Sequence, residues 1–343
     1  MRKELLAKVT GGGRLTASEA ESVGTDLAQG RAEPLQTAAF LGALAARGET
    51  AEELSGLASA FRREATPFQP FPEAVDTCGT GGDGRHSFNL STAAALVVAS
   101  LGVPVAKHGN RSISSRCGSA DLLEHLGYPI SEPPEEARAR MERCGFVFLF
   151  APLYHPAMAR VALVRKALGV RTAFNFLGPT LNPALAGRQV VGVFRPEAME
   201  LMARTLLALG TRRSLVIHGE GGYDEAVLHG RVAVREIHDG RMESYELGAS
   251  DFGLPPCTES ELAGGDAGGN ADLLCALLEG SGPAGLRDAV AANAALALRA
   301  AGRCEDLREG AGLAREALGG ARAARFLNRV LSSDGEVRRA QVS

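Results

Sequence analysis

The chain carries no excess of positive charge: 37 Lys+Arg stand against 40 Asp+Glu, a net charge of −3 over 343 residues. A dedicated duplex-DNA binder shows a strong basic excess, so this balance argues against that class while leaving room for a local basic site. Cysteines are few and scattered. Cys78, Cys117, Cys144, Cys257, Cys275 and Cys304 lie singly, with no CxxC and no His/Cys set at zinc spacing. Free thiols in a reducing compartment are expected. No apolar run reaches the ~20 residues that span a bilayer. The best one, AAALVVASLGVPVA, is interrupted by Gly102 and Pro104 and ended by Lys107. The opening MRKELLAKVTGGGRL lacks the continuous apolar core of a secretory signal. A soluble, cytoplasmic protein is expected, without membrane contact. There is also no internal repeat, heptad array or low-complexity tail.

What is present is an ordinary globular composition, 45% hydrophobic and 22% charged, with length for about two domains. Residues 1 to about 65 read as helices only: Leu5, Leu6 and Val9 share one face, Pro34–Leu44 is rich in Ala and Leu, and Glu52–Phe61 is amphipathic. Phe68-Gln69-Pro70-Phe71-Pro72 then reads as a linker, because each proline pushes its predecessor into an extended conformation. A small helical domain over 1–68 and a larger one over 73–343 are expected. In the second, candidate strands Val103–Ala106, Phe146–Phe150, Gln189–Phe194 and Ser214–His218 alternate with helical runs Thr92–Leu101, Ser119–Leu126, Pro134–Arg143 and Pro196–Leu209. That alternation predicts an α/β fold with a mostly parallel sheet. Asp239-Gly240 between two β-prone runs in Val232–Leu247 predicts an antiparallel hairpin. Asn270–Leu331 reads as helical.

Glycine is the informative excess, at 42 residues. The densest cluster is DTCGTGGDG, residues 76–84, leading through RHSFNLST into an apolar helix. Glycines there let backbone N–H groups turn inward toward an anion. Ser91 or Thr92 is placed to cap the helix, which is routine for either alone; the combined string reads as an anion site. Gly79, Gly81 and Gly84 satisfy G-x-G-x-x-G spacing, but no Asp or Glu occurs from Gly84 to Ala120 to bind a ribose, so the dinucleotide reading fails. Arg85-His86 after Gly84 excludes a Walker loop. A second polar loop, Lys107 to Ser115, also leaves a strand and enters a helix, so both loops are expected at the carboxyl edge of the sheet. Its cations, amide and serines suit a phosphorylated ligand, although a solvated surface loop has the same composition.

The strings GTGGDGRHSFNLST (79–92) and KHGNRSISSRCGSADLLEHLG (107–127) resemble anthranilate phosphoribosyltransferases. So do FAPLYHPAMARVALVRKALGVRTAFNFLGPTLNP (150–183), HGEGGYDE (218–225) and, more weakly, GGDAGGNA (264–271). The resemblance implies a small helical domain, joined by a later segment at about 152–180 and carrying a homodimer contact, beside a larger α/β domain. It implies magnesium-dependent transfer of a phosphoribosyl group from 5-phosphoribosyl-1-pyrophosphate to anthranilate; since the sequence opens directly on the helical domain, no attached glutaminase segment is expected. Position by position, the pyrophosphate-sugar contacts fall on Gly79, Gly82, Asp83, Ser87, Asn89, Leu90, Ser91 and Thr92. They continue over Lys107, His108, Gly109, Asn110, Arg111, Ser112, Ile113, Ser114 and Ser115, and at Ser119. Gly79, His108, Asn110 and Arg165 match anthranilate contacts, with Arg165 facing the carboxylate. Ser91, Asp224 and Glu225 match magnesium ligands, although spacing alone would read Asp224-Glu225 as a charged turn. Leu163, Ser87, Tyr223 and the Thr180-Leu181 order depart from the usual pattern without removing a charged group. Three other readings stay open on the residues: a paralogue that binds nucleic acid through Lys107–Arg116, a pyrimidine nucleoside phosphorylase, and a transferase acting on another aromatic amine.

Overall fold

The structure, a computed structural model, describes residues 1–82, 84–112 and 115–332. Four helices open it: α1 (Lys3–Thr10), α2 (Ala17–Ala28), α3 (Pro34–Arg47) and α4 (Ala51–Arg63). Thr16 and Thr50 close capping boxes with Glu19 and Glu53, which fixes the starts of α2 and α4. Glu53 is fully buried and fully used: it accepts the Leu15 and Thr50 amides at 2.9 and 3.0 Å and pairs with Arg47 at 2.7 Å. The bundle is not a separate core. Leu41, Leu57 and Phe61 share one apolar cluster with Val161 of α9 (Met158–Leu168), Phe174 of α10 (Phe174–Leu177) and Met202 of α11 (Glu197–Ala208).

The rest winds around a seven-stranded sheet of order β3-β2-β1-β4-β5-β6-β7. Its strands are β1 (Val75–Gly79), β2 (Val105–Gly109), β3 (Phe146–Phe150), β4 (Arg188–Gly192), β5 (Arg213–Gly219), β6 (Val232–His238) and β7 (Arg241–Leu247). The first five run parallel, and β6 and β7 are antiparallel. Both faces are covered, so neighbouring residues pack on opposite sides: Val190 enters the α5 side and Val191 the bundle side. Helix α5 (Leu90–Ser100) has ten of its residues buried, as expected of a helix that is apolar all round. It lies among β1, β2, α13 (Ala284–Ala300), α14 (Leu307–Gly319) and α15 (Arg322–Leu331). The remaining helices are α6 (Ser119–His125), α7 (Pro134–Cys144), α8 (Ala151–Tyr154) and α12 (Ala267–Leu278).

The hairpin forms at the expected place, its two-residue turn holding Asp239 and Gly240 at φ +48 and +77. Other expectations need correction. Strand β1 is not among the candidate strands, because VDTCG is short and its polar Asp76 and Thr77 hide a buried pattern. Strand β2 runs to Gly109, taking Lys107 and His108 out of the loop and into the sheet. Helix α5 starts at Leu90 with Asn89 at its cap and no side-chain capping bond, so neither Ser91 nor Thr92 caps it. Among the described residues no helix is long and apolar enough to cross a membrane, and all six cysteines are free.

Candidate active site

Strand order reverses at β1: the chain steps outward to β2 and β3, then returns to place β4 on the other side. Open α/β sheets bind ligands at the carboxyl ends of strands beside such a switch. Here that edge holds a cleft of about 500 Å³, within the range of small-ligand sites. Its walls come from the loops after β1, β2 and β5 and from Arg171 and Asn175 near α10.

The acidic pair closes one wall. After β5, Gly221 and Gly222 at φ +86 and +90 turn the chain back so that Asp224 and Glu225 face the glycine loop. Asp224 fits because two strand ends lack side chains. A Cβ on Gly79 would lie 2.3 Å from Asp224 Oδ2, and one on Gly192 would overlap the Asp224 carbonyl. Asp224 Oδ2 accepts the Gly81 amide at 2.9 Å. Glu225 accepts the Ser91 amide at 3.1 Å and the Ser87 hydroxyl at 3.2 Å, setting a carboxylate at the positive end of α5. Two carboxylates with the hydroxyls of Ser87 and Ser91 make an all-oxygen donor set, which suits a hard divalent ion. Among the described residues no group of three or more His, Cys, Asp and Glu gathers. A cation held by this pair would therefore complete its shell with water or substrate oxygens.

Beneath the cleft lies a buried polar network. Lys107, 1% exposed, donates through Nζ to the Thr77 carbonyl and, at 3.3 Å, to Ser91 Oγ. Asp76, fully buried, accepts the His108 amide at 3.2 Å and Asn182 Nδ2 at 2.9 Å. Burial pushes the Lys107 ammonium down and the Asp76 carboxyl up, and the charge of each opposes the shift of the other. This network ties β1 to β2 and to the 150–183 stretch, and fixes Ser91 relative to the sheet. Beside it His108 and His155 pack edge to face at 5.2 Å. Burial, and then the neighbouring His155, pushes His108 down to about 3; burial pushes His155 down to about 4. Both are neutral at pH 7. His155 Nε2 donates to the Leu181 carbonyl at 2.7 Å, while His108 Nε2 is buried without a partner among the described residues. His108 thus offers the cleft an uncharged aromatic face with hydrogen-bonding capacity, backed by His155.

The structure brings most of the expected residues together. Gly79, Gly82, Ser87, Asn89, Ser91, Thr92, Lys107 to Ser112, Ser115 and Ser119 all line the cleft. Asp83, Ile113 and Ser114 lie outside the described residues. Leu90 does not line it, its side chain being fully buried in the core. Arg165 does not line it either: its guanidinium sits 5.4 Å over the Phe174 ring, one residue from Asn175. Arg111 is bound to Glu124 at 2.6 and 2.8 Å and to Asp121 at 3.1 Å. With Lys107 buried and Arg111 held by acids, the second loop is not a free basic patch, which weakens the nucleic-acid reading.

Several residues that shape the cleft carry no site signal of their own in the sequence. Arg171 donates to the Gly82 carbonyl at 2.9 Å while stacked 3.7 Å from the Phe194 ring centre, pinning the glycine loop. Asn270, in the weakest motif, donates to Asn89 at 2.9 Å and accepts the Gly265 amide at 2.6 Å. That motif therefore buttresses the glycine loop from outside. No local signal marks Arg171; only its place in the 150–183 string pointed there. Of the departures, Leu163 is 79% exposed, and Tyr223 is buried with its hydroxyl donating to Glu259 at 2.9 Å. The Thr180 and Leu181 carbonyls accept from Arg62 and His155, which either order of those side chains allows.

Residues 3–65 match the helical bundle domain of the glycosyl transferase family, and residues 71–324 match its α/β domain. A curated anthranilate phosphoribosyltransferase of Desulfosudis oleivorans is 46% identical over 315 residues, 92% of this chain and 93% of that protein. The chain belongs to the anthranilate phosphoribosyltransferase family. The crystal structure of the Thermus thermophilus anthranilate phosphoribosyltransferase superposes with a TM-score of 0.90 at 45% identity, covering 96% of this chain and 98% of that one. The Saccharomyces cerevisiae anthranilate phosphoribosyltransferase, solved in complex with PRPP and Mg, gives a TM-score of 0.85 at 26% identity over 97% and 98% of the two chains. The two-part architecture, helical bundle and mostly parallel sheet, is thus the family's own.

Proposed function

We propose that the cleft transfers the phosphoribosyl group of 5-phosphoribosyl-1-pyrophosphate to the amine of anthranilate, releasing pyrophosphate, in tryptophan biosynthesis. One observation carries this reading: glycine loop, α5 N-terminus, Lys107 loop and acidic pair converge on one cleft at the strand-order switch. The Gly82 amide and the hydroxyls of Ser87, Ser115 and Ser119 hold the phosphate groups. Asp224 and Glu225, with Ser91, hold magnesium, which supplies charge neutralisation at the departing pyrophosphate. Loss of pyrophosphate leaves cationic character on the sugar, as in glycoside cleavage. No protein nucleophile is then needed, and the chain's task is to position two substrates and keep water out.

Anthranilate enters from the side of His108, Asn110 and the 150–183 segment. Neutral His108 and His155 hold no proton to give the amine, which stays a free nucleophile, and Arg165 reaches the carboxylate by leaving the Phe174 ring. The protein works as a homodimer through its helical bundle and the 152–180 segment, where Leu35 and Leu163 stand 85% and 79% exposed. Six free cysteines suit a reducing cytoplasm. Turnover of a panel of aromatic amines tests acceptor choice: anthranilate is expected to give the highest kcat/KM, and a better substrate lacking the ortho carboxylate would overturn the acceptor assignment. Light scattering at micromolar concentration tests the dimer.

A further inference from the structure

A second cavity, of about 520 Å³, opens at the other end of the sheet between the last turns of α5 and α7 and the face of α15. Its floor is apolar, from Val103, Pro104 and Phe326. Arg143, Arg322, Arg325 and Arg329 ring it, and among the described residues no acidic side chain lines it. The last three are spaced i, i+3 and i+7, so one face of α15 presents them all, while Arg143 arrives from α7. Nearby acids are already taken: Glu142 pairs with Arg138 and Glu132 with Arg140. Among the described residues none of the four arginines has a carboxylate within ion-pair distance.

Structural duties account for only part of this. Arg322 Nε donates to the Ser100 carbonyl at 2.7 Å, and Arg329 stacks on Phe326 at 5.0 Å. The carbonyl ends of α5 and α7 contribute about half a negative charge each, against four full positive charges. Arg322 and Arg325 also occupy the first turn of α15, its positive end, where acids are favoured. That turn has no side-chain cap and starts from Ala321 at φ +53. Among the described residues, like charges thus stand around an open cavity with nothing to offset them. Guanidinium forks match phosphate oxygens two at a time.

We propose that this cavity is a second anion site, which takes a phosphorylated small molecule with its phosphate among the arginines and an apolar portion on Val103, Pro104 and Phe326. It is separate from the cleft. Helix α5 begins at one and ends at the other, and its eleven residues span about 16 Å at 1.5 Å each.

Hydrogen exchange by mass spectrometry on the full chain, with inorganic pyrophosphate in EDTA, tests the site. Segments 79–82 and 107–112 report the cleft; segments 99–105 and 322–331 report the second cavity. At ten times the dissociation constant, exchange in the second pair is expected to slow roughly tenfold. Arg325→Glu, and separately Arg143→Gln on a different helix, should each weaken that protection by about tenfold in affinity, ~1.4 kcal/mol, and leave the cleft's own protection in place. Protection confined to the cleft segments would overturn the proposal. So would unchanged affinity in both variants, which would mark an adventitious ion only.

Discussion

The Asp224 carboxylate accepts the Gly81 amide at 2.9 Å across 143 residues of chain, and this bond joins the glycine loop to the acidic pair. It exists because Gly79 and Gly192, at the ends of adjacent parallel strands, leave the space that Asp224 fills. The two glycines differ in what a methyl group would meet. On Gly79 it meets the movable carboxylate tip, on Gly192 the Asp224 backbone. Gly79→Ala should therefore cut kcat/KM by about tenfold or more with little change in Tm, since a displaced catalytic group costs rate without cavity or strain in the core. Gly192→Ala should destabilise by about 3 kcal/mol, lowering Tm by several degrees. Thermal unfolding beside steady-state kinetics checks both, and equal Tm losses would contradict the account.

Glu225 holds both the Ser91 amide and the Ser87 hydroxyl, so its charge orients the start of α5 as well as facing the cleft. Glu225→Gln keeps the shape and removes the charge. The magnesium concentration giving half-maximal rate should rise about tenfold or more, with Tm nearly unchanged. A magnesium titration that superposes on wild type would remove Glu225 from the metal set.

Arg165 and Arg171 are expected to act on different substrates. Arg171 pins Gly82, so Arg171→Ala should raise the KM for phosphoribosyl pyrophosphate by about tenfold, in keeping with loss of one charge-assisted bond. Arg165 lies over the Phe174 ring; under the proposed assignment to anthranilate, Arg165→Ala should raise the anthranilate KM far more than the other. If both variants raise both KM values alike, the division of the cleft is wrong.

His108 and His155 link the site to acid stability. Their folded values near 3 and 4 lie below the ordinary ~6.5. Between those limits the unfolded chain binds protons that the folded chain refuses, so stability is full above about pH 6.5 and falls as pH drops. His108→Gln removes one such proton and should flatten the decline between pH 6 and 4.5 by up to ~1.4 kcal/mol per pH unit. Urea denaturation at several pH values reads this directly; parallel curves for wild type and variant would contradict it.

Much of the fold could be read from the chain because its signals are local. The alternation of apolar strands and helices announces the parallel sheet, and Asp239-Gly240 announces the hairpin. The glycine loop was legible for the same reason, its function residing in consecutive backbone positions. What could not be read depends on distant pairing. Strand β1 is stabilised by neighbours on both sides and by the Asp76–Asn182 bond across 106 residues, so its own composition carries no strand signal. Arg171 and Asn270 look like surface residues in one dimension and acquire their roles only when loops meet. Arg165 shows the reverse: a motif position read as a ligand contact rests on an aromatic ring outside the cleft.

Anthranilate fluorescence tests the central claim most directly. With phosphoribosyl pyrophosphate and magnesium present, the signal should fall with time, one pyrophosphate should appear per anthranilate consumed, and EDTA should stop both. A signal that stays constant with both substrates and magnesium at saturating concentration would contradict the account.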